Sequence, residues 1–397
     1  MPASSTDPTP RSIVIVGAGI FGVTAALELR QRGWSVTLCD PGPLPHPDAA
    51  STDVSKAVRM DYGTDGLYAD LAAEALAGWD EWNRTWAQPP FHQDGFLVLA
   101  GAPMRPGGYE HDSFAMLAAR GQSLERLSGA DLQRRFPAWR TDRYPDGYFN
   151  PRAGWAESGR VVERLVGEAR DAGVTLREGS RFARLREHGS RVAGIETVEG
   201  ETIAADRVLM AAGAWTPTLL PQLADVMWAT GHPVLQFQPA NPDPYRAPRF
   251  AVWAADIGST GWYGFPAVAD GRVKMGNHGP GIRIDPHAPR QVPADWEGRF
   301  REFLRGTIPA LAGAPLAGTR LCLYCDTWDG NFWIDHDPER EGLIVAAGDS
   351  GHGFKFAPVL GRIIADVIER TPSPVAERFA WRTGGTPRTE HARFSGA

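Results

Sequence analysis

The chain of 397 residues is poor in several things, and each scarcity removes a class of protein. It holds 3 cysteines, Cys39, Cys322 and Cys325. That is too few for a disulfide framework, and the expected setting is a reducing cytoplasm. No stretch approaches the ~18 consecutive apolar residues of a membrane span. Met1–Pro10 is polar and Pro-rich, without the apolar core of a secretory signal. Basic residues are not in excess: 41 Lys and Arg stand against 47 Asp and Glu, a net charge of -6, so no nucleic-acid partner is expected. Internal repeats are absent. So is a second G-x-G-x-x-G, which a pyridine-nucleotide electron source would be expected to bring.

What remains is an ordinary globular composition, 43% hydrophobic and 22% charged, long enough for two or three domains. Ile13–Val16 is a short apolar run of the kind buried in a parallel strand. Gly22–Gln31 reads as a helix ended by Gly33, and Ser35–Cys39 as a second strand closed by Asp40-Pro41-Gly42, which makes a β-α-β unit. Helices are expected over Leu67–Trp86 and Arg160–Ala172, and strands over Val174–Glu178, Arg207–Ala212 and Gly342–Ala347, with a hairpin at Glu199-Gly200. The stretches 91–152 and 224–320 are rich in Pro, Trp and Gly and lack β-α alternation, so a second, mostly β domain is expected there. Both ends read as loose, the C-terminal one from about Arg370 to Ala397 as a disordered or surface-draped tail. The 14 tryptophans suit either a packed core or an aromatic pocket.

Gly17-Ala18-Gly19-Ile20-Phe21-Gly22 is G-x-G-x-x-G. It follows a strand, opens a helix and precedes an acidic strand end, Asp40, about 20 residues on, which is the context of a dinucleotide site. Gly17 allows the tight turn, Gly19 the approach of a pyrophosphate, and Gly22 close helix–strand packing. The helix N-terminus offers free N–H groups to phosphates. Asp40 is placed to accept ribose hydroxyls. Asp335-His336-Asp337 falls in an expected turn and reads as a solvated acidic loop rather than a metal site.

Three further segments carry a resemblance: Ala50–Gly63 with Asp53-Val54-Ser55-Lys56 and Arg59; Gly271–His278 with Lys274; and Cys322-Leu323-Tyr324, Phe332–Asp335 and Gly348–Phe356. With the nucleotide motif, they resemble the D-amino-acid-oxidase superfamily of flavoproteins, in its monomeric sarcosine oxidase and fructosyl amino acid oxidase (amadoriase) branch. The resemblance runs from about Ser12 to Glu369. It implies an α/β + β chain: a Rossmann-like FAD-binding domain of the glutathione-reductase type, from residues 12–90, 152–222 and 320–370, and a discontinuous mixed-sheet substrate domain from 91–151 and 223–319, followed by a tail, 371–397.

The resemblance also implies roles. FAD would be held by Gly17, Ala18, Gly19, Ile20, Phe21, Gly22, Asp40, Ser51, Ser55, Lys56, Phe182, Gly213 and Trp215, and by the late glycine loop Asp349, Ser350, Gly351, His352, Gly353, Phe354 and Lys355. Cys322 would carry the flavin covalently. Cys322 and Cys325 read as C-x-x-C leave two other readings open, inert buried thiols and a redox dithiol; Cys39 reads as a core residue. Arg59 and Lys355 would grip a substrate carboxylate, and Lys274 would assist oxygen reduction. Tyr263, His278 and Tyr324 are further pocket candidates, and Asp53 and Lys56 would bind a polar, sugar-like part or order the flavin edge. The expected activity is oxidation of an N-substituted amino acid by a monomer, with dioxygen reduced to hydrogen peroxide. A flavin dehydrogenase with another acceptor, a pyridine-nucleotide oxidoreductase and a non-catalytic flavin protein are the competing classes.

Overall fold

A computed structural model describes residues 11–393. The expected loose N-terminus, residues 1–10, and the last four residues of the expected tail lie outside the described residues.

The β-α-β unit forms where the sequence places it. Strand Ser12–Val16 is buried and sits between Arg207–Met210 and Ser35–Asp40, parallel to both. Helix Ile20–Gln31 begins directly after the turn, with Gly19 as its N-cap. The turn is possible because Gly17 takes φ +103, and a Cβ there would meet Ala211 O at 2.5 Å. A Cβ on Gly22 would overlap Gly17 O, so the helix start and the strand end touch backbone to backbone. The complete sheet has six strands in the order Trp333–His336, Leu343–Ala347, Arg207–Met210, Ser12–Val16, Ser35–Asp40, Thr175–Glu178. Only the first pair is antiparallel. Helix Ala357–Ile368 packs on helix Ile20–Gln31, and its Gly361 lies against the Thr24 backbone.

A nine-stranded sheet forms the other main layer. At its centre Met227–Phe237 pairs antiparallel with the whole of Leu316–Thr327 and with Val273–Asn277. Trp262–Ala267 and Val252–Ala255 continue it, and Phe96–Ala100 joins Val252–Ala255 in parallel. A small sheet of Lys56–Val58, Gly154–Ala156 and Phe91–His92 carries the Lys56 and Arg59 segment between the two large sheets.

Two expectations are corrected here. Asp335 and His336 are not in a turn but end the strand Trp333–His336. Alternation along the strand sends their side chains apart: Asp335 Oδ2 accepts the Trp381 N–H at 2.7 Å, and His336 Nε2 lies 2.9 Å from Val367 O. Asp337 accepts the Glu339 and Arg340 amides. Among the described residues, no group of three or more His, Cys, Asp or Glu side chains could hold a metal. Nor is 371–393 loose throughout: residues 383–389 are draped on the surface as expected, but the segment is anchored on either side of them. Phe379, Ala392 and Arg393 are buried, and the Glu390 side chain is 5% exposed. Its Pro/Gly/Thr/Arg composition reads as a tail because it forms no periodic element beyond the single turn Ala376–Phe379; its burial comes from individual side chains. Among the described residues no helix is long and apolar enough to cross a membrane.

The Gly17 turn yields a direct test. Gly17→Ala adds a left-handed strain and a backbone clash, and should cost about 3 kcal/mol, read as a lower urea midpoint than that of the parent chain.

Candidate active site

The C-terminal ends of the six-stranded sheet open into a cavity of about 400 Å3. Gly17, Gly19, Ile20 and Phe21 form one wall, Asp40 and Ser51 a second, and Phe182, Gly213 and Trp215 a third. Asp349, Gly351, Gly353 and Phe354 close the far end, where Lys56 and Tyr324 also face in. Ala18 and Gly22 do not line it. They shape the turn, and the Ala18 N–H donates to Asp40 Oδ2 at 2.8 Å. Asp40 thereby braces the turn it was expected only to face; its Oδ1 accepts the Gly42 N–H, and burial raises its carboxyl pKa. The Cβ position of Gly19 has only Ser51 Oγ near it, at 3.5 Å. That leaves an open cradle at a helix N-terminus, the geometry an anionic diphosphate needs. Two buried hydroxyls in the adjoining loop, Thr52 Oγ1 and Ser55 Oγ, lack hydrogen-bond partners within the protein, as expected of groups reserved for a ligand. The site therefore fits a dinucleotide. His46, Asp48, Arg181, Val198 and His287 also line it. They lie in loops or at strand ends without motif or period, and no sequence signal marks them.

A second, small cavity of about 70 Å3 adjoins the far end. Lys56, Tyr324, Gly351 and Phe354 belong to both linings and form the partition between them. The small cavity gathers Arg59, Tyr263, Lys274, His278, His352 and Lys355, all expected site residues from four separate segments. Arg59 Nη1 donates to Tyr109 Oη at 3.1 Å and to Asp61 O. Lys355 Nζ donates to Tyr62 Oη at 2.9 Å and to His352 O at 2.8 Å. Burial, with Arg59 close by, depresses the Lys355 pKa well below the usual lysine value. His352 uses both ring nitrogens, on Tyr62 Oη and Gly330 O. Burial lowers its pKa to about 3, so it is neutral. Tyr324 stacks on His232 with ring centroids 3.9 Å apart. Burial pushes the Tyr263 phenol up to about 12.

Lys274 is not a free cation. Its Nζ donates to Asp53 Oδ2 at 2.7 Å and to Ser55 O at 2.5 Å, and both side chains are at most 3% exposed. Lys56 Nζ approaches the same carboxylate at 3.5 Å. Burial would raise the Asp53 pKa, but Lys274, Lys56 and Arg320 outweigh it and hold the carboxyl well below its usual range. Burial lowers Lys274 to about 8 despite its partner. Asp53 is thus occupied by lysines and by the backbone: its carbonyl accepts Ser158 Oγ and the Gly159 N–H, both at 2.8 Å.

Cys322 sits on Leu316–Thr327, buried, with Lys56 Nζ 3.5 Å from its Sγ. It lines neither cavity directly; Val234 and Tyr324 pack against it. Cys325, three residues on, belongs to a different core cluster, with Met227 and Trp333. Positions three apart on a strand face opposite ways, so the redox-dithiol reading has no geometry to support it. Burial also pushes the Cys325 thiol far up. Cys39 is a core residue, as expected.

Two residues of Asp349-Ser350-Gly351 serve the backbone of the loop. Asp349 accepts the Cys325 and Gly351 amides, and burial raises it to about 6. Ser350 adopts φ 43, and its N–H donates to Cys325 O. Glu390, from the expected tail, also has no sequence signal, and it enters the small cavity. Its Oε1 lies 2.7 Å from His278 Nε2 and 3.6 Å from Arg59 Nη2.

Asp53→Asn leaves Lys274 buried without its counter-charge. The expected loss is about 3–5 kcal/mol, measured by denaturant unfolding. Asp53→Asn combined with Lys274→Met should recover part of it, which independent contributions would not allow.

Comparison with known proteins agrees with this geometry. The family described as FAD dependent oxidoreductase matches residues 12–367. N-methyl-L-tryptophan oxidase of Salmonella heidelberg is 30% identical over 371 residues, covering 91% of this chain and 95% of that protein. Among solved structures, amadoriase I of Aspergillus fumigatus, a fructosyl amine:oxygen oxidoreductase, superposes with a TM-score of 0.81 at 27% identity over 96% of this chain and 91% of that one. Amadoriase II of the same fungus, a deglycating fructosamine oxidase, gives a TM-score of 0.84 at 26% identity over 98% of this chain and 94% of that one. The chain belongs to the FAD-dependent oxidoreductase family, in the branch that holds the N-methyl amino acid oxidases and the amadoriases.

Proposed function

We propose that this protein is an oxidase of N-substituted amino acids, which oxidises a C–N bond to an imine and reduces dioxygen to hydrogen peroxide. The observation that carries this reading is the small cavity, where two cationic side chain types, Arg59 and Lys355, meet Lys274 behind a partition shared with the dinucleotide cavity. FAD held in the large cavity would supply the redox chemistry, as acceptor of a hydride equivalent from the carbon next to the amine nitrogen and donor of electrons to the final acceptor. The protein's own part is positioning. Arg59 offers the guanidinium fork and Lys355 the ammonium to a substrate carboxylate. An arriving carboxylate supplies the counter-charge that Lys355 lacks at rest. Tyr263, Tyr324 and the buried aromatic wall exclude water from the reacting carbon. Lys274 holds a proton at Nζ where charge builds on reduced oxygen.

In this reading the segments 12–90, 152–222 and 320–370 hold FAD, and 91–151 and 223–319 form the substrate side, joined by residues of 371–393. The flavin is carried covalently on Cys322, whose Sγ lies 3.5 Å from Lys56 Nζ at the partition between the cavities. Cys322→Ser then leaves the yellow colour in the supernatant after acid precipitation, whereas the parent keeps it in the pellet. Colour lost from the parent pellet sinks the covalent link.

The substrate class is tested by flavin bleaching without oxygen, adding fructosyl-valine, sarcosine, N-methyl-L-tryptophan and a D-amino acid separately. Bleaching by a secondary amine supports the proposal, and bleaching by the D-amino acid alone overturns it. Readmitted oxygen should restore the colour fast; slow return with fast reduction of an artificial acceptor supports the dehydrogenase alternative. Protonated Lys274 prevails below its pKa of about 8. Reoxidation should therefore slow as pH rises through about 8, and Lys274→Met should be slow at every pH, without that limb.

A further inference from the structure

Residues 381–393 form neither helix nor strand; 383–389 are exposed, Ala392 and Arg393 are buried, and Glu390 between them reaches into the small cavity. Among the described residues, one backbone hydrogen bond, Arg388 N–H to Trp328 O at 2.7 Å, ties residues 382–393 to the rest of the chain. Side chains do the remainder. Arg393 is the anchor: its guanidinium donates twice to Asp326, at 2.5 and 2.7 Å, and Thr230 completes the carboxylate. Glu390 is held differently. Oε1 has His278 at hydrogen-bond distance, but Arg59 stays 3.6 Å away, and Oε2 is buried with no hydrogen-bond partner. A buried carboxylate oxygen left unpaired costs free energy. Burial pushes this carboxyl up, but the His278 hydrogen bond and the Arg59 guanidinium outweigh it and hold Glu390 below the usual carboxylate range. The cavity beneath, about 70 Å3, is well below the ~300 Å3 at the small end of ligand pockets. The stretch 386–391 is exposed except at Glu390 and carries an under-satisfied anion, so a better-fitting anion can displace it while Arg393 stays anchored.

We propose that Glu390 is a built-in stand-in for the substrate carboxylate. It faces Arg59 in the free enzyme, and an amino-acid substrate gains entry by displacing it together with the strap formed by residues 386–391, up to the Arg393 anchor. This rests on the reading of Arg59 and Lys355 as the carboxylate grip. A free carboxylate can approach Arg59 squarely and reach Lys355 as well, which tethered Glu390 does not. Neutral amines and amino-acid amides cannot repay the displacement, so Glu390 selects for acids. The apparent affinity for any acid is its intrinsic affinity reduced by the fraction of molecules with the strap open.

The experiment uses the intact holoenzyme and methoxyacetate, which has the carboxylate but an ether where the oxidisable amine would be. Binding is followed by the shift in flavin absorbance, with methoxyacetamide as the neutral control. Glu390→Gln keeps shape and removes the charge, and should tighten methoxyacetate binding about tenfold while methoxyacetamide is unaffected. Unchanged or weaker methoxyacetate binding in Glu390→Gln, with Arg59→Met still weakening it, overturns the strap and leaves the carboxylate grip standing. If Arg59→Met binds methoxyacetate as well as the parent, both readings fall. Trypsin gives a measure on the unaltered protein. Methoxyacetate, and not methoxyacetamide, should speed cleavage after Arg388; protection, or no difference between the two, overturns the proposal.

Discussion

The buried pair of Lys274 and Asp53 is the constraint on which the site depends. Lys274 stands on a central strand of the nine-stranded sheet, and Asp53 on the loop that leads from the nucleotide cavity into the small sheet. The Asp53 carbonyl takes the first turn of helix Ser158–Asp171. One side chain pair thus fixes the loop, the helix and the strand in a single geometry. Lys56 enters the same charge cluster and reaches Cys322. Two ammonium groups around one carboxylate are tolerable only because that carboxylate is fully ionised and burial weakens one of the lysines.

Much of the large cavity was legible in the sequence. A turn built on Gly17 and Gly22 has few alternatives, because both positions abut backbone atoms that leave no room for a side chain. The residues of Asp349–Phe354 were legible for a similar reason: a strand ends, the chain must turn, and a polar glycine-rich loop follows. The function of each residue was less legible than its place. Asp40 is expected to face a ribose, and its carboxylate also closes the turn; Asp53 is expected to bind a sugar-like part or order the flavin edge, and its carboxylate is committed to lysines. Motifs report which residue types converge, but not which of their hydrogen bonds are already taken by the protein.

The loops that bring His46, Arg181 and His287 to the nucleotide cavity, and the final segment, are not legible. His46, Arg181 and His287 reach the cavity through tertiary packing, with no local pattern. The strap is not legible because sequence periodicity reports secondary structure, and this segment has almost none. Its position is set by single contacts such as Arg393 with Asp326 and Gly385 with the Trp328 ring, and such contacts leave no trace in composition.

The division of the site into two chambers by Lys56, Tyr324, Gly351 and Phe354 has a consequence for how such an enzyme can diversify. Apart from those four, the lining of the smaller chamber comes from the nine-stranded sheet with Ile257 and His278 beside it, the Ala57–Arg59 stretch, His352, Lys355 and Glu390, and none of it belongs to the strands that bear the nucleotide turn. Changes at Val252, Ile257 or Phe265 can reshape one chamber while the other keeps its form. A lineage, or a mutational library confined to those positions, can therefore explore new amines without putting cofactor retention at risk.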